Sequence, residues 1–260
     1  MKALAARRRH PAAILLLLLL GLVATGGLYS VLAPRPAQAA VVTADDVTAG
    51  KKLFVANCAT CHGVNGEGTK AGPSLVGVGA AAVDFQVGTG RMPLAGPGVQ
   101  AAAGSKIKFS QEQIAALAGY VASLSPGPPV PDDQYTKGDG NVARGNELFK
   151  VNCAMCHNFA GSGGALTRGK YAPALRDITG KHIYEAMVTG PQSMPVFNEN
   201  NLTPQDKNDI ISYLHELDKG ENPGGMTLGN LGPVSEGMFI WVFGLGLVIA
   251  AAVWLGAKAA

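Results

Sequence analysis

Hydrophobic and polar residues follow two different rules along this chain. Residues 11–32 carry no charge and include six consecutive leucines, Leu15 to Leu20. Residues 238–257 carry no charge either and lie between Glu236 and Lys258. Between these two stretches the pattern changes to short amphipathic stripes separated by Gly- and Pro-rich sequence. Ile114, Leu117, Val121 and Leu124 make one stripe, and Ile210, Ile211, Leu214 and Leu217 make another. Apolar residues at these spacings share one face of an α-helix. Ser110 and Thr203 stand where N-caps belong, Glu112 or Gln113 falls in the first turn of the earlier helix, and Pro204 suits the first helical position of the later one.

Twenty helical residues span about 30 Å, the thickness of a bilayer's hydrocarbon core. A transmembrane helix is therefore expected over 237–257, with Trp241 and Trp254 near its two ends, where interfacial aromatics sit. A buried core helix is the alternative, but no soluble part of the chain is large enough to enclose such a helix on every face. The N-terminal stretch has two readings. Lys2 and Arg7 to Arg9, the apolar run, and the small-residue tract Ala37-Gln38-Ala39 read as a secretory signal over 1–40, cleaved after Ala39. The run is also long enough to stay as an uncleaved anchor. Both readings leave Arg7 to Arg9 in the cytoplasm and put the following residues on the extracytoplasmic face of the cell membrane.

Charge agrees with this division. Lys2, Arg7, Arg8, Arg9, Arg35 and Lys258 lie in the flanks, and all acidic residues lie between Asp45 and Glu236. The middle region is close to neutral and has no basic face suited to nucleic acid.

The four cysteines all belong to two copies of one motif, Cys58-Ala-Thr-Cys61-His62 and Cys153-Ala-Met-Cys156-His157. Cys-x-x-Cys-His reads as an attachment site for a c-type haem. Two thiols three apart on one helical turn each reach a haem vinyl group, and the adjacent His projects under the macrocycle to ligate iron. A disulfide or redox dithiol is a second reading, although a thioredoxin-like site needs a βαβ setting that is not visible here. Zinc is a third, although His sits beside Cys in both copies instead of being spaced for a tetrahedron.

The repeat extends beyond the cysteines. Gly50, Leu53, Phe54, Asn57 and Cys58 recur as Gly145, Leu148, Phe149, Asn152 and Cys153, at an offset of 95. Pro73-Ser-Leu75 recurs as Pro173-Ala-Leu175 at an offset of 100, Met92-Pro93 aligns with Met194-Pro195, and Tyr120 with Tyr213. This period means two copies of one domain. The expected organisation is all-α: domain one over 45–125, a semi-rigid Pro-rich linker over 126–140, domain two over 141–220, and a flexible segment over 221–236. Each domain opens with a helix into the cysteine motif, continues through Gly- and Pro-rich loops, and closes with the amphipathic helix. Units of about 80 residues have marginal cores, which a large apolar cofactor would complete.

His62 and His157 are the expected proximal iron ligands, and the distal ligand must lie downstream. Domain one has a single Met, Met92, and no other His. In domain two Met155 lies inside the motif and cannot swing to the distal face. Met187 falls on an apparent helix over 183–188 and suits core packing, and Met194 aligns with Met92. Met92 and Met194 are therefore the expected distal ligands, with His182 and His215 as surface or packing residues. His/Met ligation raises the reduction potential and fills both axial positions, which favours electron transfer over binding oxygen or peroxide.

With these motifs in hand, each domain resembles class I cytochrome c. The resemblance implies that Gly50/Phe54 and Gly145/Phe149 on the first helix pack against Tyr120 and Tyr213 on the last. It also implies that the carbonyls of Pro73 and Pro173 accept a hydrogen bond from the proximal His. The whole arrangement is similar to the dihaem cytochrome cc subunit of actinobacterial quinol–cytochrome c reductase, the bcc complex. That likeness implies two covalent haem c groups and a respiratory complex with a cytochrome b and a Rieske iron–sulfur subunit as partners. It further implies a relay from the Rieske protein to an aa-type oxidase, with no catalytic substrate site on this subunit. Near-neutral domains fit a fixed relay better than a diffusing carrier. The competing readings are a dihaem subunit of a cbb-type oxidase or membrane dehydrogenase, a tethered carrier outside any complex, and a dihaem peroxidase, which would need an open iron site.

Overall fold

The computed structural model describes residues 11–32, 43–94, 96, 98–104, 106–220 and 233–259. The tract around Ala39 and the segment 221–232 lie outside the described residues.

The N-terminal unit is one helix, α1, Pro11–Leu32. It is apolar on every face, as the unbroken leucines require, and is long and apolar enough to cross a membrane. The other unit holds everything from Ala39 onward. The described part of its first domain has α2 (Ala44–Asn57), the single turn α3 (Ala59–His62), α4 (Gly79–Gly88) and α5 (Gln111–Leu124). The second domain repeats them as α6 (Val142–Asn152), α7 (Ala154–His157), α8 (Gly180–Thr189) and α9 (Pro204–Lys219). A C-terminal helix follows: α10 (Pro233–Phe239), a π-helical stretch Ile240–Leu245, and α11 (Gly246–Ala259). Its residues 235–258 form the second candidate membrane span. The architecture is the all-α one expected, with one small addition. A two-residue antiparallel ladder pairs Gly164 with Ala172 and Ala165 with Tyr171. It lies in the stretch over which the repeat offset grows from 95 to 100.

The helix starts follow from their caps. Ser110 accepts from the Gln113 amide while the Gln113 side chain accepts from the Ser110 amide, so each satisfies a donor the helix leaves orphaned. Thr203 and Asp206 make the same reciprocal box, with Pro204 at the first position. Thr43 and Asp46 make a third.

In each domain the first and last helices cross at a glycine. A Cβ on Gly50 would overlap the Ala116 carbonyl oxygen, and one on Gly145 would overlap that of Asp209. The close approach sets Phe54 against Tyr120, with ring centroids 5.1 Å apart, and Phe149 against Tyr213 at 5.4 Å. Around each pair a core closes: Ile114, Leu117 and Val121 in domain one, and Ile210, Ile211 and Leu214 in domain two.

Two features depart from a pair of beads on a spacer. The Pro-rich linker is not a free rod. The Ala81 amide donates to the Pro128 carbonyl at 3.1 Å, and further on Gly138, Gly140 and Asn141 donate backbone N–H groups to Asn208, Ser212 and Asp209 on α9. The linker is thus docked at both ends. Second, the region read as loops in domain one contains α4, which packs between α5 and α8 of the other domain. Almost all of α4 is buried, including Ala81, Val83, Phe85 and Val87.

Candidate functional site

Both cysteine motifs are built the same way. Asn57 ends α2 with its side-chain amide donating to the Leu53 carbonyl at 2.8 Å, and Asn152 does the same to Leu148 at 2.8 Å. Cys58 then starts a second turn: its N–H donates to Phe54, and its carbonyl accepts from His62 N–H at 3.0 Å. Cys153 bonds to Phe149 and His157 in the same manner. Each motif therefore places two thiols and an imidazole on one turn.

The imidazoles are held from behind. His62 Nδ1 lies 2.8 Å from the Pro73 carbonyl oxygen, and His157 Nδ1 lies 2.9 Å from that of Pro173. A carbonyl can only accept, so Nδ1 carries the proton and donates, and the lone pair is left on Nε2, on the opposite side of the ring. Burial pushes the His157 imidazolium pKa down, against the Pro173 bond that favours it, and keeps the ring neutral as a ligand must be.

The thiols separate the three sequence readings. Burial raises the Cys58 pKa, and raises that of Cys153 to about 12, with the neighbouring thiols Cys61 and Cys156 acting in the same direction. A redox dithiol works by the opposite shift, a thiolate stabilised near neutral pH. Zinc fares no better. Among the described residues, the group of three or more side chains that gathers as a metal site is Asp84, His182 and Glu185, far in sequence from every cysteine.

The candidate distal side chains are half-buried. Met92 packs against the apolar cluster of Phe54, Ile114 and Leu117, which Cys58 also touches. Met194 packs against the cluster of Phe149, Ile210 and Leu214, which holds Cys153. Met155 is 94% exposed, whereas Met187 is buried inside the second core. Val76, Leu94, Val99 and Ile107 in the domain-one loops are exposed. The donor set therefore fits a c-type haem in each domain: two thiols and a neutral His on one turn, with a thioether on the same core.

His215 is half-buried beside Gly138. His182 is not a simple surface residue. It sits on α8 where the two domains meet, with Nδ1 2.9 Å from Glu185 Oε2 and its ring edge-on to Phe85 of α4, centroids 6.2 Å apart. Beside it Lys181 Nζ bonds Asp84 Oδ2 at 2.7 Å. Gln100 exchanges two hydrogen bonds with the Tyr171 backbone, at 2.8 and 2.9 Å, and Gln192 Nε2 donates to Ala101 at 2.9 Å. These interdomain residues escape a motif search. The one signal available is Asp84, the lone charge in the apolar run of α4.

Comparison with known proteins agrees with the domain chemistry. The family model described as cytochrome c matches residues 47–125, and that described as cytochrome c oxidase, cbb3-type, subunit III matches residues 140–214. The chain is 45% identical to a cytochrome bc1 complex cytochrome c subunit of Mycobacterium leprae, over 93% of this chain and 86% of the relative. It is 41% identical to the protein of that name in Corynebacterium diphtheriae, over 99% and 98%. A more distant relative, the cbb3-type cytochrome c oxidase subunit FixP of Bradyrhizobium diazoefficiens, is 27% identical over 66% of this chain and 61% of its own length.

Proposed function

From the premise that this chain belongs to the family of cytochrome c subunits of the bc1 complex, we propose that it carries two haem c groups and relays electrons from a Rieske iron–sulfur protein to an aa-type oxidase. The observation that carries the proposal is the duplicated turn in which His62 and His157 each lean on a proline carbonyl with two thiols beside them. Cys58 and Cys61 would hold one haem covalently, and Cys153 and Cys156 the other. His62 with Met92, and His157 with Met194, would supply the axial ligands. The bound haem supplies a one-electron iron couple.

The remaining work is done by the chain. The Pro73 and Pro173 carbonyls fix the imidazole rings and increase their basicity toward iron. The Met92 and Met194 thioethers would also hold the iron, which would disfavour peroxide chemistry. The contact of α4 with α8, reinforced by Gln100 and Gln192, supports a fixed spacing between the two sites instead of two swinging domains. The two apolar helices are candidate anchors that would hold the haem domains on the extracytoplasmic face of the cell membrane, next to a cytochrome b.

The match of residues 140–214 to a cbb3-type oxidase subunit favours one rival, a dihaem subunit of a cbb-type oxidase. Detergent-solubilised, tagged protein distinguishes the two. A haem-stained band that co-purifies with cytochrome b, Rieske and aa-type oxidase subunits is the expected result. Companions from a cbb-type oxidase or a dehydrogenase would overturn the respiratory assignment and leave the haem chemistry standing.

A further inference from the structure

Between α4 and α8 the structure gathers two carboxylates and an imidazole that electron transfer does not use. Asp84 comes from the first domain, and His182 and Glu185 from the second. One ligand atom from each lies within 4.8 Å of the other two. The residues are deeply placed: Asp84 is 5% exposed and Glu185 0%. Each carboxylate has one oxygen engaged and one idle. Lys181 takes Asp84 Oδ2 and the His182 ring takes Glu185 Oε2, while Asp84 Oδ1 and Glu185 Oε1 are buried with no hydrogen-bond partner. A buried carboxylate oxygen without a partner is costly, and two within one cluster favour a bound cation. Gly88 borders the cluster: a Cβ there would lie 3.4 Å from Asp84 Oδ1 and 3.0 Å from the His182 ring, so the missing side chain leaves room between these two ligands.

We propose that Asp84, His182 and Glu185 form an interdomain binding site for a divalent transition-metal ion of the zinc class, which ties α4 to α8. Carboxylate oxygens and an imidazole nitrogen are all zinc ligands, and a site with three protein ligands takes water as the fourth. The imidazole disfavours calcium and magnesium, which take oxygen. Zinc–ligand distances of about 2.0–2.2 Å put tetrahedral ligands roughly 3.3–3.6 Å apart, so atoms within 4.8 Å reach the ion by small side-chain rotations. Lys181 stays on the outer oxygen of Asp84 and offsets one of the two negative charges. Burial raises the Glu185 pKa to about 7, so a metal ion there competes with a proton for this carboxylate. The cysteine thiols do not compete, because in the haem-loaded protein they are consumed as thioethers.

The test uses full-length, haem-loaded protein in detergent, carrying a tag without histidine and stripped with a chelator. Equilibrium dialysis against Zn²⁺ should return one tightly held ion per chain. His182→Gln and Glu185→Gln should each weaken it at least tenfold, and His215→Gln should leave it unchanged. Intact visible haem spectra confirm that the variants are folded. Zinc-edge X-ray absorption on the unaltered protein should report imidazole nitrogen and oxygen neighbours without sulfur, and this readout needs no variant. Zinc binding that survives both substitutions, a sulfur shell, or no zinc retained would overturn the site and leave the cluster as a proton-sharing contact.

Discussion

At His62 and His157 one ring nitrogen decides what the other can do. With Nδ1 committed to the Pro73 or Pro173 carbonyl, Nε2 is the nitrogen free for iron, and the ring cannot rotate without breaking that bond. The distal partner proposed for each iron would then set the potential. Met92→His should lower the potential of one haem by on the order of 0.1 V, a fraction of the ~0.8 V that axial ligands span, and leave the other nearly unchanged in a redox titration. An unaltered pair of potentials would refute the ligand assignment. Cys58→Ser with Cys61→Ser should remove covalent haem from domain one only, halving the haem staining per chain. The cysteine motif was legible because its chemistry lies within five consecutive residues. The His–Pro pairing was not legible from spacing. It spans 11 residues in one domain and 16 in the other, because the short ladder of Gly164–Ala165 with Tyr171–Ala172 lies in the second. Only the likeness to class I cytochrome c pointed to it.

At the scale of elements, the closing helices were readable and α4 was not, for one physical reason. A helix that lies on a core shows a stripe, and α5 and α9 do. A helix enclosed on both sides shows none. α4 is covered by α5 on one side and by α8 on the other, so Gly79-Ala-Ala-Ala-Val-Asp-Phe-Gln-Val-Gly88 has no polar face to mark its period. The Pro-rich linker gains contacts that composition does not show. Composition suggested a spacer, while the bonds from Gly138, Gly140 and Asn141 to α9 fasten it down. The glycine crossings make a sharper test. Gly50→Ala or Gly145→Ala forces a methyl group into a backbone carbonyl, which cannot rotate away as a side chain could. Each should cost about 3 kcal/mol and lower Tm by several degrees. Calorimetry on the haem-loaded protein checks this, and a neutral substitution would mean that the helices can move apart freely.

For the whole molecule, the joint between domains is also the place where pH acts. Glu185 is buried, and desolvation raises its pKa to about 7, against the opposing hydrogen bond from His182; Asp84 adds to the rise and Lys181 works against it. In the unfolded chain the carboxyl titrates near its ordinary value of 4.5. Between these two values the folded protein holds a proton that the unfolded chain has released, so stability falls as pH rises through that window and levels off above about pH 7. The sign is opposite to that of a salt-bridged carboxylate. Glu185→Gln keeps an acceptor for the His182 ring and removes the titration. In chelated, metal-free protein the variant should match the unaltered chain near pH 4 and exceed it at pH 8, by at most ~3 kcal/mol. Urea midpoints at the two pH values measure the difference. Parallel pH profiles would show that Glu185 ionises freely in the folded state, with water reaching the seam between α4 and α8.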